Sequence, residues 1–317
     1  MKEKYINLFT DFGFKKIFGE EANKEHLIAF LNTLLPERHK IETLQFAKNE
    51  QLGVSTVDRR AIFDLHCTSQ SGEYFIVELQ KAKQNYFKDR SVFYATFPIQ
   101  QQAERGEWNF KLAAVYTIGI LDFLFDEDDG NGEVVHTVKL KNQNNEIFYD
   151  KLTFIYLTLP NFTKTENELE SDQEKWFFLF RYLHELDEIP PRLRSRIYES
   201  IFEKAQIARM NPAERQSYED SLKYYRDIKN VVDTARDEGL QEGREEGIGI
   251  GREEGRHEGM LLGRRLAIFQ TIRKLVGRNS PLETIADVVD LPVDNVRQII
   301  EAGDAGIDFI EIDESLL

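Results

Sequence analysis

The stretch AIFDLHCTSQSGEYFIVELQ, residues 61–80, decides the fold of this chain. It contains two short apolar runs, AIFDLHCT and YFIVELQ, which are separated by the polar residues Ser69 to Glu73. Two such runs around a short linker that contains glycine are typical of a β-hairpin. A three-residue loop, with Gly72 in the left-handed position of a bulged turn, pairs Ser69 with Glu73. The sequence therefore predicts an antiparallel hairpin with a defined register.

That register places Asp64 directly opposite Glu78, and strand alternation puts Gln80 on the same face as Glu78. Opposed residues have Cβ atoms about 4.5–5.5 Å apart, so two carboxylates there repel each other unless a cation neutralises them. Mg²⁺ is typically held by one or two carboxylates with water and substrate phosphate, and it activates water for attack on a phosphodiester. The pattern predicts a site for Mg²⁺, or for another hard divalent cation, at Asp64 and Glu78. The alternative is a solvated face of an amphipathic hairpin.

The rest of the chain supplies the other elements of an α/β domain. Residues 41–47 have an extended pattern, and two further buried strands are expected at 112–123 and 151–160, with a polar loop between them. The opposite face of the hairpin is uniformly apolar and predicts the sheet core: Phe63, Leu65, Phe75, Val77 and Leu79. Helices are expected around Phe14, around Leu27, at 86–105 with a kink or break at Pro98, and over most of the chain after Pro160.

The charge of the chain is unevenly distributed. Its 317 residues carry 41 Lys and Arg against 56 Asp and Glu, which gives a formal net charge of −15. Residues 1–125 hold 16 basic and 16 acidic residues, whereas the remainder holds 25 basic and 40 acidic residues. A wholly acidic protein is a poor partner for nucleic acid. Because the first part lacks the acidic excess, it remains suited to a polyanion.

The composition and the N-terminus favour a cytoplasmic protein. Hydrophobic residues make up 41% and charged residues 31% of the chain, which excludes both a membrane protein and a fully disordered one. The single cysteine, Cys67, cannot form an intrachain disulfide, which fits a reducing compartment. The sequence shows neither the apolar core of a signal peptide nor a stretch of about 20 apolar residues, so no membrane partner is expected.

Glycine recurs at every fourth position between residues 239 and 263. In a helix this interval forms a stripe that drifts by about 40° per repeat. Each glycine costs roughly 1 kcal/mol relative to alanine, although small residues let two helix backbones approach closely. We expect a marginal helix that orders by self-association into a homodimer or higher oligomer; the alternative is a flexible charged linker. The repeat consists of Gly239, Gly243, Gly247, Gly251, Gly255, Gly259 and Gly263.

The segment PLETIADVVDLPVDNVRQII, residues 281–300, resembles a small helix-turn-helix-like module. Together with Glu301, which follows directly, its solvent residues carry a net charge of −4, which is a poor surface for a phosphate backbone. The module is therefore predicted to pack or to contact protein. Its predicted apolar positions are Ile285, Val288, Val293, Val296 and either Ile299 or Ile300.

An Asp in one hydrophobic strand and Glu-x-Gln in the next resemble the PD-(D/E)XK nuclease motif. The surrounding segments make the resemblance more specific, because they follow one another as in the Rpn family, recombination-promoting nucleases also described as putative transposases. They are TDFGFKKIFG (10–19), RRAIFDLHC (59–67), FIVELQKA (75–82), DRSVFYATFPIQQQAERGEWNFKLAAVYTIGILDF (89–123) and KLTFIYLTLPNF (151–162). The Gly-x-x-Glu-Gly tail is also similar, so the resemblance covers most of the chain.

The resemblance implies an α/β restriction-endonuclease-like fold, a mixed sheet core flanked by helices, and metal-dependent cleavage of DNA. Asp64, Glu78 and Gln80 match its catalytic triplet, although Gln80 stands where the wider superfamily more often has a positively charged Lys. Asp11 matches an N-terminal acid that would be a further metal ligand or a water-orienting group. Asp11 and Lys15 are also spaced as a helix-surface ion pair, and that interpretation stays open.

Six polar residues after the hairpin are candidate DNA contacts. Arg90, Tyr94 and Gln101 have helical spacing and match polar positions of the family's helix, while a basic run precedes them. The alternatives are a partly buried polar helix face and a solvated basic surface. Lys81 is expected to point to the strand face opposite Gln80. The six candidates are Lys81, Lys83, Lys88, Arg90, Tyr94 and Gln101.

These observations predict four parts: a nuclease-like domain at 1–165, a helical extension at 166–235, the Gly-repeat helix or linker at 236–265, and a small helical module at 266–317. The expected function is Mg²⁺-dependent endonuclease action on DNA, linked to recombination or mobile elements by the resemblance. The alternatives are an inactive nuclease-fold protein that binds DNA or regulates, and a transposase proper.

Overall fold

A computed structural model of the chain describes residues 3–47, 50–51, 61–62, 64–103, 106–125 and 132–304. The chain divides into two compact units, Met1–Asp233 and Thr234–Leu317. The first contains all of the β-structure among the described residues. In the described part of the chain, no helix is both long and apolar enough to cross a membrane.

The first unit is built on a mixed sheet of six strands. Its spatial order is β1-β4-β5-β6-β8-β7, and the pairs β5–β6 and β6–β8 are parallel while the other three pairs are antiparallel. Two short strands, β2 and β3, pair separately. The strands are β1 Leu44–Phe46, β2 Glu50–Gln51, β3 Ala61–Ile62, β4 Leu65–Ser69, β5 Tyr74–Gln80, β6 Val115–Leu121, β7 Val135–Lys141 and β8 Ile147–Thr158.

The predicted hairpin and its register are confirmed. Leu65 pairs with Val77, and the Ser69 N–H donates to the Glu73 carbonyl at 3.0 Å. Gly72 has φ = 90°, the left-handed conformation that the three-residue loop requires of glycine. The same register brings the residues before Leu65 opposite those after Val77.

The prediction of one continuous first strand from AIFDLHCT is wrong. The run is divided between β3 and β4, and Asp64 lies in a bend between them. There the Asp64 side chain and backbone make hydrogen bonds to β5 that replace regular ladder bonds, a competition typical of aspartate. The break therefore sits at the residue that is predicted to bind metal. Phe63 lies outside the described residues.

Helices cover both faces of the sheet. Val77 and Leu79 point into the main core together with Phe14 and Phe18 of the first helix, whereas Ile76 on the other face packs against Tyr94 and Phe97. The α-helices of the first unit that end before residue 212 are α1 Asp11–Phe18, α2 Lys24–Asn32, α3 Phe87–Gln101, α4 Asp172–Tyr182 and α5 Arg196–Lys204. The predicted fold class, a mixed sheet core flanked by helices, is confirmed.

The helix α3 runs without interruption through Pro98, so the predicted break at this residue does not occur. Proline removes one backbone donor and therefore one bond to the carbonyl of Tyr94. The helix nevertheless continues to Gln101, so the loss of this one bond does not end it.

The sequence pattern missed β7 and the first residues of β8. These strands form an antiparallel hairpin around a turn in which Asn145 adopts φ = 63°. The strand β7 is an edge strand whose side chains are exposed or half-buried, and Lys139 and Lys141 lie on it. Charged residues on an edge strand discourage edge-to-edge pairing, and they also weaken the apolar pattern by which strands are predicted.

The Gly repeat is helical and belongs to α6, Pro212–Val276. All seven glycines are exposed, and a Cβ atom added at any of them would meet nothing within 4 Å. A small core follows at the end of α6, between it and the helices α7 Leu282–Val289 and α8 Val293–Asp304. Its buried residues are Ile272, Ile285, Ala286, Val296 and Ile299.

The prediction that Val288 belongs to this core is wrong, because its side chain is 58% exposed. The buried stripe of α7 runs through Ile285, Ala286 and the half-buried Val289. These residues are spaced i, i+1 and i+4, which places Val288 about 100° away from the centre of the stripe. Ala286 therefore takes the buried position that was expected for Val288.

Candidate active site

Asp64 and Glu78 are tied together by hydrogen bonds between the carboxylates and the backbone. The Leu79 N–H donates to Asp64 Oδ2 at 2.6 Å, and the Asp64 N–H donates to Glu78 Oε1 at 3.4 Å. Each carboxylate thus accepts a bond from the opposite side of the hairpin. The structure therefore places the two acids beside each other at the carboxyl end of β5.

Glu78 is 8% exposed, because β5 lies inside the sheet between β4 and β6. It pairs with Gly119 of β6. A Cβ atom at Gly119 would lie 2.9 Å from a ring atom of Tyr156 and 3.4 Å from the Phe87 ring. The glycine thus allows two aromatic rings to close over the face that carries Glu78, which removes water from around the carboxylate.

Burial is the main cause of the unusual acidities of this pair. It raises the pKa of Glu78 to about 8, and the negative charge of Asp64 adds to this, while Arg90 and hydrogen bonds from Asp64 and the Gln80 side chain oppose it. Burial likewise raises the pKa of Asp64, against the Leu79 hydrogen bond. Like charges in a dry site disfavour double ionisation. Without a cation, the pair therefore resists ionisation of both carboxyl groups at neutral pH.

Lys81 approaches the acids from the side of α1. It follows the last residue of β5, and its Nζ lies 5.2 Å from the ring centroid of Tyr224 in α6. Burial lowers the pKa of Lys81, whereas the charges of Asp11 and Asp64 raise it. This ammonium group thus supplies positive charge next to Asp64, on the strand face away from α3.

Asp11 and Lys15 form an ion pair of 3.1 Å on the exposed surface of α1. Both act on Asp64: the charge of Asp11 raises the pKa of that carboxyl group and the charge of Lys15 lowers it. Asp11 is therefore near the acid pair, and its own carboxylate is already engaged by Lys15.

Arg90 and Tyr94 approach Glu78 from α3. The Arg90 guanidinium carbon lies 5.6 Å from the Phe87 ring centroid and 5.9 Å from that of Tyr94, and one of its nitrogens donates to the Gln84 amide oxygen. Its positive charge lowers the pKa of both Glu78 and Tyr94. Arg90 Nη2 is buried and has no hydrogen-bond partner among the described residues. Since buried donors are normally hydrogen-bonded, this nitrogen is available to bind an additional acceptor such as a phosphate oxygen.

The remaining candidates lie farther from the acids. Lys83 and Lys88 are exposed and line a cavity of about 270 Å³ at the beginning of α3. Gln101 is the last residue of α3, roughly 16 Å along the helix axis from Arg90, so the structure does not bring it to the carboxylates. Tyr224 and Gln84 were missed: Tyr224 is far from the motif in sequence, and Gln84 lies in the irregular segment before α3, where no periodicity marks it.

A family model described as PD-(D/E)XK nuclease family transposase matches residues 8–235, more than two thirds of the chain. The chain belongs to this family. The match confirms the suspected resemblance, and the matched residues include every candidate site residue and end before the Gly repeat. No curated protein matches the chain, and no solved structure does.

The acid pair of this PD-(D/E)XK family member has the donor chemistry that a hard divalent cation requires. The described residues contain no group of three or more His, Cys, Asp or Glu side chains that could hold a metal ion. Two carboxylates suffice for Mg²⁺, which completes its coordination with water and substrate phosphate. The resistance of Glu78 to ionisation also fits, because a cation removes the repulsion that raises its pKa.

Proposed function

We propose that this protein is an endonuclease that hydrolyses phosphodiester bonds in DNA and depends on Mg²⁺ or another hard divalent cation. The observation that carries the proposal is the opposed pair Asp64 and Glu78, which are half-buried and buried respectively at the carboxyl end of β5. Two carboxylates in this arrangement destabilise the fold when both are charged. A bound cation offsets this cost, so a metal-binding role explains why the two acids lie together.

Asp64 and Glu78 would hold the cation in this proposal. When bound, a divalent cation lowers the pKa of the attacking water and neutralises charge on the phosphate. The Gln80 side chain donates to the Glu78 carboxylate, so it fixes that ligand and has capacity left to orient water or a phosphate oxygen. Because Gln80 is neutral, the positive charge must come from other residues.

Lys81 and Arg90 supply that charge from the two sides of the sheet. We assign Lys81 to the phosphate next to Asp64. Arg90 is assigned to a phosphate oxygen near Glu78 through Nη2, which has no hydrogen-bond partner in the described part of the chain. Tyr94 supports Arg90 through the face of its ring. For Asp11 we propose a positioning role through the ion pair with Lys15. Lys83, Lys88 and Gln101 would contact the backbone of the bound strand farther from the cut.

The remaining parts of the proposal concern context. The family description as transposase favours a role in recombination or mobile elements, and a second candidate function is a transposase that also joins strands. We further propose the four-part division at 165, 235 and 265, a cytoplasmic location, and association into a homodimer or higher oligomer through the Gly repeat. The alternative is an inactive protein that only binds DNA, and the neutral side chain of Gln80 is the observation in its favour.

Nicking of supercoiled plasmid tests the proposal. The wild type is expected to nick in Mg²⁺ and not in EDTA, and Asp64→Asn is expected to be inactive. Asp150→Asn is the matched control, since Asp150 forms a surface ion pair with Arg38. Full activity of Asp64→Asn would remove Asp64 from the site. A folded wild type that binds DNA but never nicks it in Mg²⁺ would favour the inactive rival.

A further inference from the structure

A cavity at the beginning of α3 combines aromatic rings with basic side chains. It has a volume of about 270 Å³, and the described residues that line it include the aromatic side chains of Tyr86, Phe87, Phe123 and Phe125 and the charged side chains of Lys83, Lys88 and Asp89. Aromatic faces beside positive charge are the features with which proteins hold unpaired nucleobases and their phosphates. The chemistry of the lining thus suits a nucleotide better than a purely apolar ligand.

Tyr86 is the most accessible part of this lining. Its side chain is 80% exposed, and its backbone adopts φ = 62°, a conformation that non-glycine residues rarely use. The other rings support one another, since Phe87 packs edge-on against Phe123 with centroids 5.8 Å apart. Lys88 Nζ lies 5.0 Å from the centroid of Phe125. The lining therefore consists of a packed aromatic floor, a nearby ammonium group and one exposed ring.

The cavity is connected to the acid pair through Arg90. Gln84 and Phe87, which line the cavity, both contact the Arg90 guanidinium, and Arg90 acts electrostatically on Glu78. Tyr86 and Arg90 are one helical turn apart, about 5.4 Å along the axis, and successive stacked bases are about 3.4 Å apart. A strand whose phosphate lies at Arg90 therefore reaches the cavity one or two nucleotides away.

We propose that this cavity binds one unpaired base of the substrate strand, one or two nucleotides from the phosphodiester that is cut. The inference rests on the proposed nuclease function and specifies its substrate as DNA with an unpaired nucleotide at the cleavage site. A base in a regular duplex has both faces stacked and its pairing edge occupied, so it cannot stack on Tyr86 unless it leaves the helix. A bulged or single-stranded base has no such cost.

Equilibrium binding in EDTA tests the inference without cleavage. A labelled duplex with one bulged 2-aminopurine is compared by anisotropy with the fully paired duplex of the same sequence. The wild type is expected to bind the bulged duplex about tenfold more tightly, as expected for one stacked base, and to quench the 2-aminopurine fluorescence. Tyr86→Gly and Tyr86→Asn, which both tolerate the positive φ, should lose the preference and keep binding to the paired duplex within twofold.

Two control variants separate the ring from general effects. Tyr86→Phe keeps a stacking face and should retain the preference, and Phe148→Ala removes a ring that is 81% exposed at the other end of the sheet and should change nothing. An unchanged bulge preference in Tyr86→Gly would overturn the inference. So would an equal loss for both duplexes, or binding of free dTMP that competes as strongly as the oligonucleotide.

The outcome is independent of the nicking assay. If the wild type nicks plasmid but Tyr86→Gly keeps its preference for the bulge, the base site is wrong and the endonuclease stands. If a Tyr86-dependent preference exists without any nicking in Mg²⁺, the base site stands and the proposed hydrolysis is wrong.

Discussion

Acidic residues occur in two contrasting regions, the carboxyl end of β5 and the Gly-repeat segment of α6. At the end of β5, Glu78 is buried beside Asp64 and its pKa rises to about 8. In the Gly-repeat segment, the glutamates are solvated along an exposed helix. Exposed charges cost little, whereas buried like charges cost several kcal/mol unless they are neutralised. Acidic content alone therefore does not mark a site, and burial of acids against each other does.

The largest expected effect comes from removing either buried charge. Asp64→Asn and Glu78→Gln should each reduce Mg²⁺-dependent plasmid nicking by at least about a thousandfold, a loss of roughly 4 kcal/mol of transition-state stabilisation. At a hundred times its Kd, Mg²⁺ should increase the unfolding free energy of the wild type by about 2.7 kcal/mol, which is measured as a higher melting temperature. It should do little for either variant. An equal response to Mg²⁺ in Asp64→Asn would contradict the assignment of the ligand.

A second test uses the stability of the metal-free protein as a function of pH. The folded pKa of Glu78 is raised to about 8, above its ordinary value near 4.5, so between these values the folded state binds more protons than the unfolded state. Unfolding free energy should therefore fall as pH rises from 5 to 8. For this residue the fall is about 2–4 kcal/mol, and it levels off above pH 8.

Glu78→Gln is the matched variant for this test, because it keeps the shape of the side chain and cannot ionise. In urea titrations with EDTA its stability should fall less than that of the wild type between pH 5 and 8, and should be above that of the wild type at pH 8. Identical pH profiles for both proteins would show that Glu78 ionises normally, and the contrast with the solvated glutamates would then disappear.

A smaller effect is expected at Gln80. Gln80→Ala removes the hydrogen bond to Glu78 and leaves both carboxylates in place. Nicking should fall by about ten- to a hundredfold, whereas the rise in melting temperature with Mg²⁺ should stay close to that of the wild type. A complete loss of the Mg²⁺ response would instead make Gln80 a ligand. The control is Gln173→Ala. The Gln173 side chain donates a hydrogen bond to the Thr33 carbonyl, in the part of the chain that the family model matches but away from the acid pair.

Sequence reasoning reached the acid pair because two local rules agree there. Loop length and Gly72 fix the register, and alternation then places Asp64 opposite Glu78. The approach of Lys81 to Tyr224 depends on tertiary packing between segments distant in sequence, so no local pattern contains it. The same holds for the elevated pKa of Glu78, which requires the rings of Phe87 and Tyr156 over Gly119.

The edge of the sheet was harder to predict than its centre. Central strands such as β6 are buried on both faces and read as continuous apolar runs. An edge strand such as β7 needs only a few apolar side chains, and it carries lysines that resemble loop composition. Asp64 shows the converse case, in which an apolar run is interrupted because its polar residue bonds the neighbouring backbone.

The smallest expected effect concerns the other side of the comparison, the Gly repeat. A Cβ atom at Gly247 or Gly255 would meet nothing within 4 Å, so alanine fits without strain. Alanine is favoured over glycine in a helix by about 0.8–1.0 kcal/mol per residue, and each substitution should stabilise this segment by that amount. Thermal unfolding followed by circular dichroism at 222 nm measures the gain, and nicking should be unaffected.

Self-association through the glycine stripe would reverse that result. If two helix backbones meet at the glycines, added methyl groups hold them apart, and Gly247→Ala with Gly255→Ala should lower the association constant measured by light scattering. Leu240→Ala is the control, since it shortens an exposed side chain in the same segment without changing the stripe. If the helix gains stability while the oligomer is unchanged, the glycine stripe is not the contact. If the wild type is monomeric at micromolar concentration, the proposed oligomer does not exist.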